Sequence, residues 1–368
     1  MFEDIIASVR NDSGNNNEVQ PKPVANEKSE EQKDRGENSD IRIKVIGVGG
    51  AGCNCVSRLQ NSGIKSAELL SVNTDGKHLN MITTGKKLLI GRNITRGLGA
   101  GGDIELAKKC ADADRRALSD AIGENELIFI TAGMGGGTGG GAAPVIAEIA
   151  RDKGAIVIAM VTYPFALERV RLKKAQKSLQ ELIKVCDTVV VIDNNRLLKY
   201  APNLAIDKAF ALADSITGRA VTGISDTIMF PSLMNIDYAD VKSVMQSGGL
   251  SMISLGEGLG VNRIDDVIKD TANHPLLDVS SEGAKGALLH LEGGPDLTLG
   301  DSIKIGENLS SAFDNMANVK MGARINLDFA GKVRATAIIT GVKSPYILGE
   351  KSQRTEQVLV AEQAVEYL

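Results

Sequence analysis

Tryptophan is absent, and aromatic residues make up only 3% of the 368. That argues against base-stacking platforms for single-stranded nucleic acid. No block rich in lysine and arginine occurs and the formal net charge is -4, so nothing marks a general polyanion binder. Histidine is limited to His78, His274 and His290, and cysteine to Cys53, Cys55, Cys110 and Cys186. Neither C-x-x-C nor H-E-x-x-H occurs among them, which speaks against a structural zinc site. The cysteines read as small buried filler in a reducing compartment. There is no run of 18 apolar residues, and the N-terminus is acidic rather than basic. The expectation is a cytoplasmic protein with no secretory signal and no membrane span.

Glycine, by contrast, is abundant at 40 residues and is clustered. The run Thr131-Ala132-Gly133-Met134-Gly135-Gly136-Gly137-Thr138-Gly139-Gly140-Gly141-Ala142-Ala143-Pro144 follows an apolar strand, Leu127–Ile130, and precedes a helix read from about Ala142. A strand feeding glycines feeding a helix has the geometry of a phosphate cradle. Glycines let successive N–H groups point at one anion, and the helix end adds partial positive charge. The run has no lysine, so G-x-x-x-x-G-K-[ST] does not apply. Backbone amides, with a metal ion, are expected to hold the phosphates.

Two further clusters, Gly47–Gly52 and Gly97–Gly102, also follow strand ends. The first matches G-x-G-x-x-G, with Asp75 about 20 residues on, as a dinucleotide site would have it. Three clusters point instead to a longer polyphosphate wrapped on several sides. Strands are expected at 41–46, 67–72, 87–90, 127–131, 156–162 and 188–192, with helices near 54–60, 102–119, 142–152 and 171–184. That alternation predicts a parallel sheet covered on both faces, with its ligand crevice at the carboxyl ends of the strands. A longer helix, about 204–224, has a wide apolar surface, and strands at 286–291, 323–329 and 333–340 suggest a mixed α/β second domain. Residues 11–40 read as a disordered tail. Before it, Phe2, Ile5, Ile6 and Val9 fall on one helical face, which reads either as a docking peptide for a partner or membrane adaptor or as a frayed terminus.

The segments Gly47–Asn54, Asn73-Thr74-Asp75, Gly97–Asp103, Gly133–Pro144, Pro164-Phe165 with Glu168, and Asn235-Ile236-Asp237-Tyr238-Ala239-Asp240 resemble, in order, the nucleotide loops and catalytic loop of the FtsZ family. These are the prokaryotic tubulin-like cell-division GTPases. The resemblance runs from about Ile41 to about Gly349 and is nearest to archaeal members. It implies an α/β, tubulin/FtsZ-like fold: a Rossmann-like parallel-sheet GTPase domain (41–202), a central helix (203–225) and a smaller mixed α/β C-terminal domain (226–349). The tails are 1–40 and 350–368.

Residue by residue, the resemblance places Gly49, Gly50, Ala51, Gly52 and Asn54 in the first phosphate loop. Ala100, Gly101 and Gly102 lie around the terminal phosphate. Gly136, Gly137, Thr138, Gly139 and Gly140 form the signature cradle. Asn73 and Asp75 line the phosphate side, with Asp75 near Mg²⁺. Pro164, Glu168 and Arg171 fall at the sugar. Asn194, Phe210 and Asp214 fall at the guanine, where an aspartate accepting two hydrogen bonds would select GTP over ATP. Asn235, Asp237 and Asp240 are the implied catalytic set, acting on the neighbour's nucleotide in a head-to-tail homopolymer at the division site. The implied ligands are GTP or GDP with Mg²⁺.

Three positions depart from the family's pattern. Gly140 stands where threonine is usual. Arg171 follows Glu168 by three residues rather than the four of many bacterial relatives. Phe230–Met234 lacks a glycine common there. Two other readings stay open at this point: a same-fold filament controlling cell shape, and a dinucleotide-dependent oxidoreductase.

Overall fold

The computed structural model describes residues 41–195, 203, 205–229, 234, 236–246, 250–272 and 281–342. The expected docking peptide, both tails and Asn235 lie outside the described residues. In chain order the strands are β1 (Ile43–Val48), β2 (Glu68–Asn73), β3 (Lys86–Leu89), β4 (Leu127–Gly133), β5 (Ile156–Tyr163), β6 (Thr188–Asp193), β7 (Leu250–Leu259), β8 (Gly286–Gly293), β9 (Asn318–Ile325) and β10 (Lys332–Thr340). The helices are α1 (Gly49–Asn61), α2 (Gly76–Met81), α3 (Arg92–Thr95), α4 (Ile104–Ala113), α5 (Arg115–Ile122), α6 (Gly137–Asp152), α7 (Arg169–Val185), α8 (Ile206–Met229), α9 (Tyr238–Met245), α10 (Arg263–Ala272) and α11 (Leu299–Ser310).

All ten strands form one sheet in the order β3-β2-β1-β4-β5-β6-β7-β10-β8-β9. The first six are parallel in the doubly wound order, so the strand order reverses between β1 and β4. The sheet continues into β7 through only two paired positions, Val189 with Leu250 and Val190 with Ser251. Beyond it β10 runs antiparallel to both β7 and β8. Side chains alternate across the sheet, so each strand feeds two cores. Ile128 and Ile130 of β4 pack on the side of α6 and α7, with Ala143, Ile146 and Leu179. Leu127 and Phe129 pack on the side of α1 and α8, with Val56, Leu59, Leu212 and Ile216.

Several element boundaries differ from the sequence expectation, each for a local reason. The helix expected over 102–119 is two helices that part at Asp114. Its carboxylate accepts the Gly91 amide at 2.6 Å, and the backbone there leaves helical geometry. The strand expected over 323–329 begins earlier and stops at Ile325. Asn326 then turns the chain, its side chain accepting from the Asp328 amide at 3.0 Å. The long helix runs on to Met229, with Thr217, Ser225 and Thr227 satisfying their hydroxyls on carbonyls one turn back.

Candidate active site

The first and third glycine clusters are largely helical, not loops. α1 begins at Gly49 and α6 at Gly137, so Thr138, Gly139 and Gly140 lie in the first turn of α6. This corrects the expected open nest followed by a helix at Ala142. The first four N–H groups of a helix have no intrahelical partner, so they supply the same inward-facing donors as a nest would. Neither helix has a side-chain cap, and neither has an acid in its first turn. By contrast α2 is capped by Asp75 and α4 by Asp103. Two neighbouring helix ends left open beside capped ones suit an anionic ligand.

Glycine is required where these helices meet. Gly49 adopts φ +72°, and a Cβ there would lie 2.8 Å from the Gly139 amide. A Cβ on Gly52 would strike the Thr131 carbonyl, and the Thr131 hydroxyl donates to the Gly52 carbonyl at 3.2 Å, joining α1 to β4. The second cluster closes on the third, since a Cβ on Gly137 would lie 3.0 Å from the Ala100 side chain. The hydroxyls of Thr74 and Thr138 meet at 2.7 Å, and Gly99 donates to the Thr74 carbonyl at 3.1 Å. Asn73, buried at the end of β2, turns the next two residues by accepting both their amides. Asn73, Asp75, the loop at 100–102 and the two open helix ends are thus brought together. Asn54 sits on the exposed side of α1.

The expected sugar and base residues follow the ends of β5 and β6. Pro164 comes directly after β5. Glu168 accepts from the Phe165 amide at 3.1 Å and from Arg171 Nη1 at 2.6 Å. The Arg171 backbone abuts the turn at Gly135, so the three-residue spacing still places it beside the cradle. Asn194, directly after β6, is buried, and its Oδ1 has no hydrogen-bond partner. A buried acceptor left open costs free energy, which a donating ligand would recover. Phe210 is 44% exposed and its ring lies 6.0 Å from that of Phe165, tilted by 57°. Asp214, one turn further on, is buried and paired with Arg58.

Four residues here had no sequence signal: Arg58, Lys174, Asn195 and Lys320. Lys174 donates to the Gly102 carbonyl at 2.5 Å, so a cation braces the second cluster from α7. Asn195 bridges Asp193, Ala166 and Pro164 and ties the ends of β5 and β6 together. Apart from Asp193 beside Asn195, their partners lie far along the chain, where no local pattern reaches.

Asp237 and Asp240 sit elsewhere. They form a capping box at the start of α9, with Asp237 accepting the Asp240 amide at 2.7 Å. The next residue, Tyr238, donates its hydroxyl to the Glu126 carbonyl at 2.9 Å. Glu126 immediately precedes β4, whereas the cradle follows that strand's other end. At the other end of α9, Thr188, the first residue of β6, donates to the Met245 carbonyl at 3.2 Å. The acids therefore lie at the amino ends of the parallel strands and the glycine helices at the carboxyl ends. A seven-residue strand separates them by roughly 20 Å. Lys320 stands 2.8 Å from Asp240 and holds its carboxyl below the usual range, together with the Asp237 amide.

Among the described residues no group of three or more histidine, cysteine or acidic side chains could hold a metal ion, and no helix is long and apolar enough to cross a membrane.

Residues 42–202 match the Tubulin/FtsZ family GTPase domain, and residues 249–343 match the FtsZ family C-terminal domain. The chain is 51% identical over 320 residues to cell division protein FtsZ 2 of Methanocaldococcus jannaschii, covering 86% of this chain and 84% of that protein. It is 47% identical to cell division protein FtsZ 2 of Haloferax volcanii over 86% of this chain and 79% of that one. A solved empty FtsZ dimer of M. jannaschii superposes with a TM-score of 0.78 at 41% identity, over 83% of this chain and 89% of that chain. The GTPγS-bound protofilament of CetZ2 from Haloferax volcanii has a TM-score of 0.74 at 22% identity, over 88% of this chain and all of that one, a likeness of fold alone. With the glycine helices, the doubly wound sheet and these relatives together, the chain belongs to the tubulin/FtsZ family of GTPases.

Proposed function

We propose that this chain is a cell-division GTPase that assembles head to tail, each subunit bringing Asp237 and Asp240 to the nucleotide of the next. One observation carries the reading: the acids and the cradle are at opposite ends of β4 in one molecule. A second copy stacked along the same direction brings the two ends together, and a contact that does not close on itself builds a filament. Hydrolysis of the triphosphate needs a placed water and neutralised charge. The open ends of α1 and α6 supply amide donors, and Asn194, Phe210 and Asp214 supply the guanine pocket. Asn235 belongs to the same acidic segment by sequence.

Mg²⁺ would be carried mainly by the nucleotide's own phosphates, with Asp75 as the acid at the cradle's edge, since no side-chain cluster among the described residues suits it alone. When bound it would offset phosphate charge. The working layout is a nucleotide domain over 41–202, a central helix, and an activating domain over 226–349. The segment before residue 41, with its apolar face of Phe2, Ile5, Ile6 and Val9, is the candidate contact for an adaptor at the division site. M. jannaschii and Haloferax relatives named as cell division proteins support division over a cell-shape role.

The test is sedimentation of the full chain with GTP, GDP or no nucleotide, followed by electron microscopy of the pellet. Filaments dependent on GTP are expected, and purified protein should carry GDP. No fibres under any condition, or retained NAD(P), would overturn the reading.

A further inference from the structure

Lys320 lies on β9, the last strand of the sheet, and its ammonium stands 2.8 Å from Asp240 Oδ1. The other carboxylate oxygen of Asp240 faces the Asp237 amide at 3.4 Å. Two residues before Lys320, Asn318 donates to Ser243 Oγ at 3.0 Å, so β9 and α9 are joined twice on one side. The Lys320–Asp240 pair is partly open to water, at 38% and 28% side-chain exposure, and such pairs add little to stability. Its geometric effect is larger. A lone acid at the third position of a helix can rotate between its cap and solvent, but here both oxygens have a donor and the carboxylate has one direction.

We infer that Lys320 is a positioning residue for Asp240, presenting its carboxylate already oriented to the nucleotide of the adjoining subunit. This rests on the reading that Asp240 acts on a neighbour. An acid fixed before the subunits meet loses less orientational freedom when they do. The pair also keeps Asp240 ionised, the form that can accept a hydrogen bond from an attacking water. Lys320 touches neither the glycine helices nor the guanine residues, so GTP binding within its own subunit does not depend on it.

The experiment uses the full chain. For Lys320→Ala, Lys320→Arg, Asp240→Ala and the double variant, GTP affinity, the sedimented fraction, and kcat and KM per sedimented subunit are measured. Lys320→Ala should bind GTP and sediment like the parent, with kcat down about tenfold and KM unchanged. Lys320→Arg should recover most of the rate. The double variant should be no slower than Asp240→Ala, because Lys320 acts through that acid. A parental rate in Lys320→Ala, a further loss in the double variant, or failure of both Lys320 variants to sediment would overturn the inference. A parental rate in Asp240→Ala would instead sink the reading it rests on.

Discussion

Arg58 Nε lies 3.2 Å from Asp214 Oδ2, joining the helix that opens on the first glycine turn to the long central helix. Burial pushes the Asp214 carboxyl up to about 6, and the Arg58 guanidinium opposes that rise. Only the ionised carboxylate can accept from both the N1–H and the exocyclic amine of guanine. GDP should therefore bind most tightly above pH about 6 and more weakly as the pH falls through that value. Asp214→Asn should flatten the dependence. Asp214→Ala should cost about 1.5–3 kcal/mol of GTP-over-ATP preference, the usual contribution of hydrogen bonds to a charged group. Nucleotide titrations across this pH range decide the point: an affinity that ignores pH, with guanine preference intact in the alanine variant, removes Asp214 from the pocket.

Asp240→Ala should leave nucleotide binding near the parental value while turnover falls by about 10²–10⁴-fold. The residue caps α9 at the far end of β4, so its loss does not reach the cradle. Equilibrium binding and phosphate release, measured on one preparation, test this. Loss of binding would contradict an acid that acts only on a neighbour.

Turnover per subunit should rise with protein concentration and level off once filaments form. Each molecule carries both halves of the proposed active site at opposite ends, and only contact between two molecules joins them. Phosphate release followed over a dilution series gives the answer, and a flat line would mean that each molecule cleaves its own nucleotide.

Gly140→Thr should destabilise the fold by about 1–2 kcal/mol, net of the better helix propensity of the new residue. A Cβ there would lie 2.5 Å from Ser178 Oγ on α7. Ser178→Ala removes that atom, which has no hydrogen-bond partner, and should restore most of the loss in the double variant. Denaturant midpoints of the four proteins form the cycle. An unchanged midpoint in Gly140→Thr would show that α7 gives way freely.

Much of the nucleotide half was legible because its signals are local. β4 opens on an unbroken apolar run, Leu127–Ile130, as a strand buried on both faces does. β7 was not legible. Its Gly256 and Gly258 look like turn residues, but a Cβ on either would strike α10, on Thr271 or on the Arg263 carbonyl. The helix lies too close for side chains, and nothing near β7 in the sequence announces it. The capping box of Asp237 and Asp240 was likewise hidden behind the expectation of an open catalytic loop.

Taken alone, the order of residues determined the alternation of strands and helices, the three glycine clusters and the family resemblance. Each rests on spacing within a few residues, where backbone freedom and hydrophobic period act directly. Folding in three dimensions decided which end of the sheet each group occupies. It set Tyr238 against Glu126, Arg58 against Asp214 and Lys320 against Asp240. Those pairings are 112, 156 and 80 positions apart in the chain, and only packing of the sheet and its helices brings them within hydrogen-bond reach.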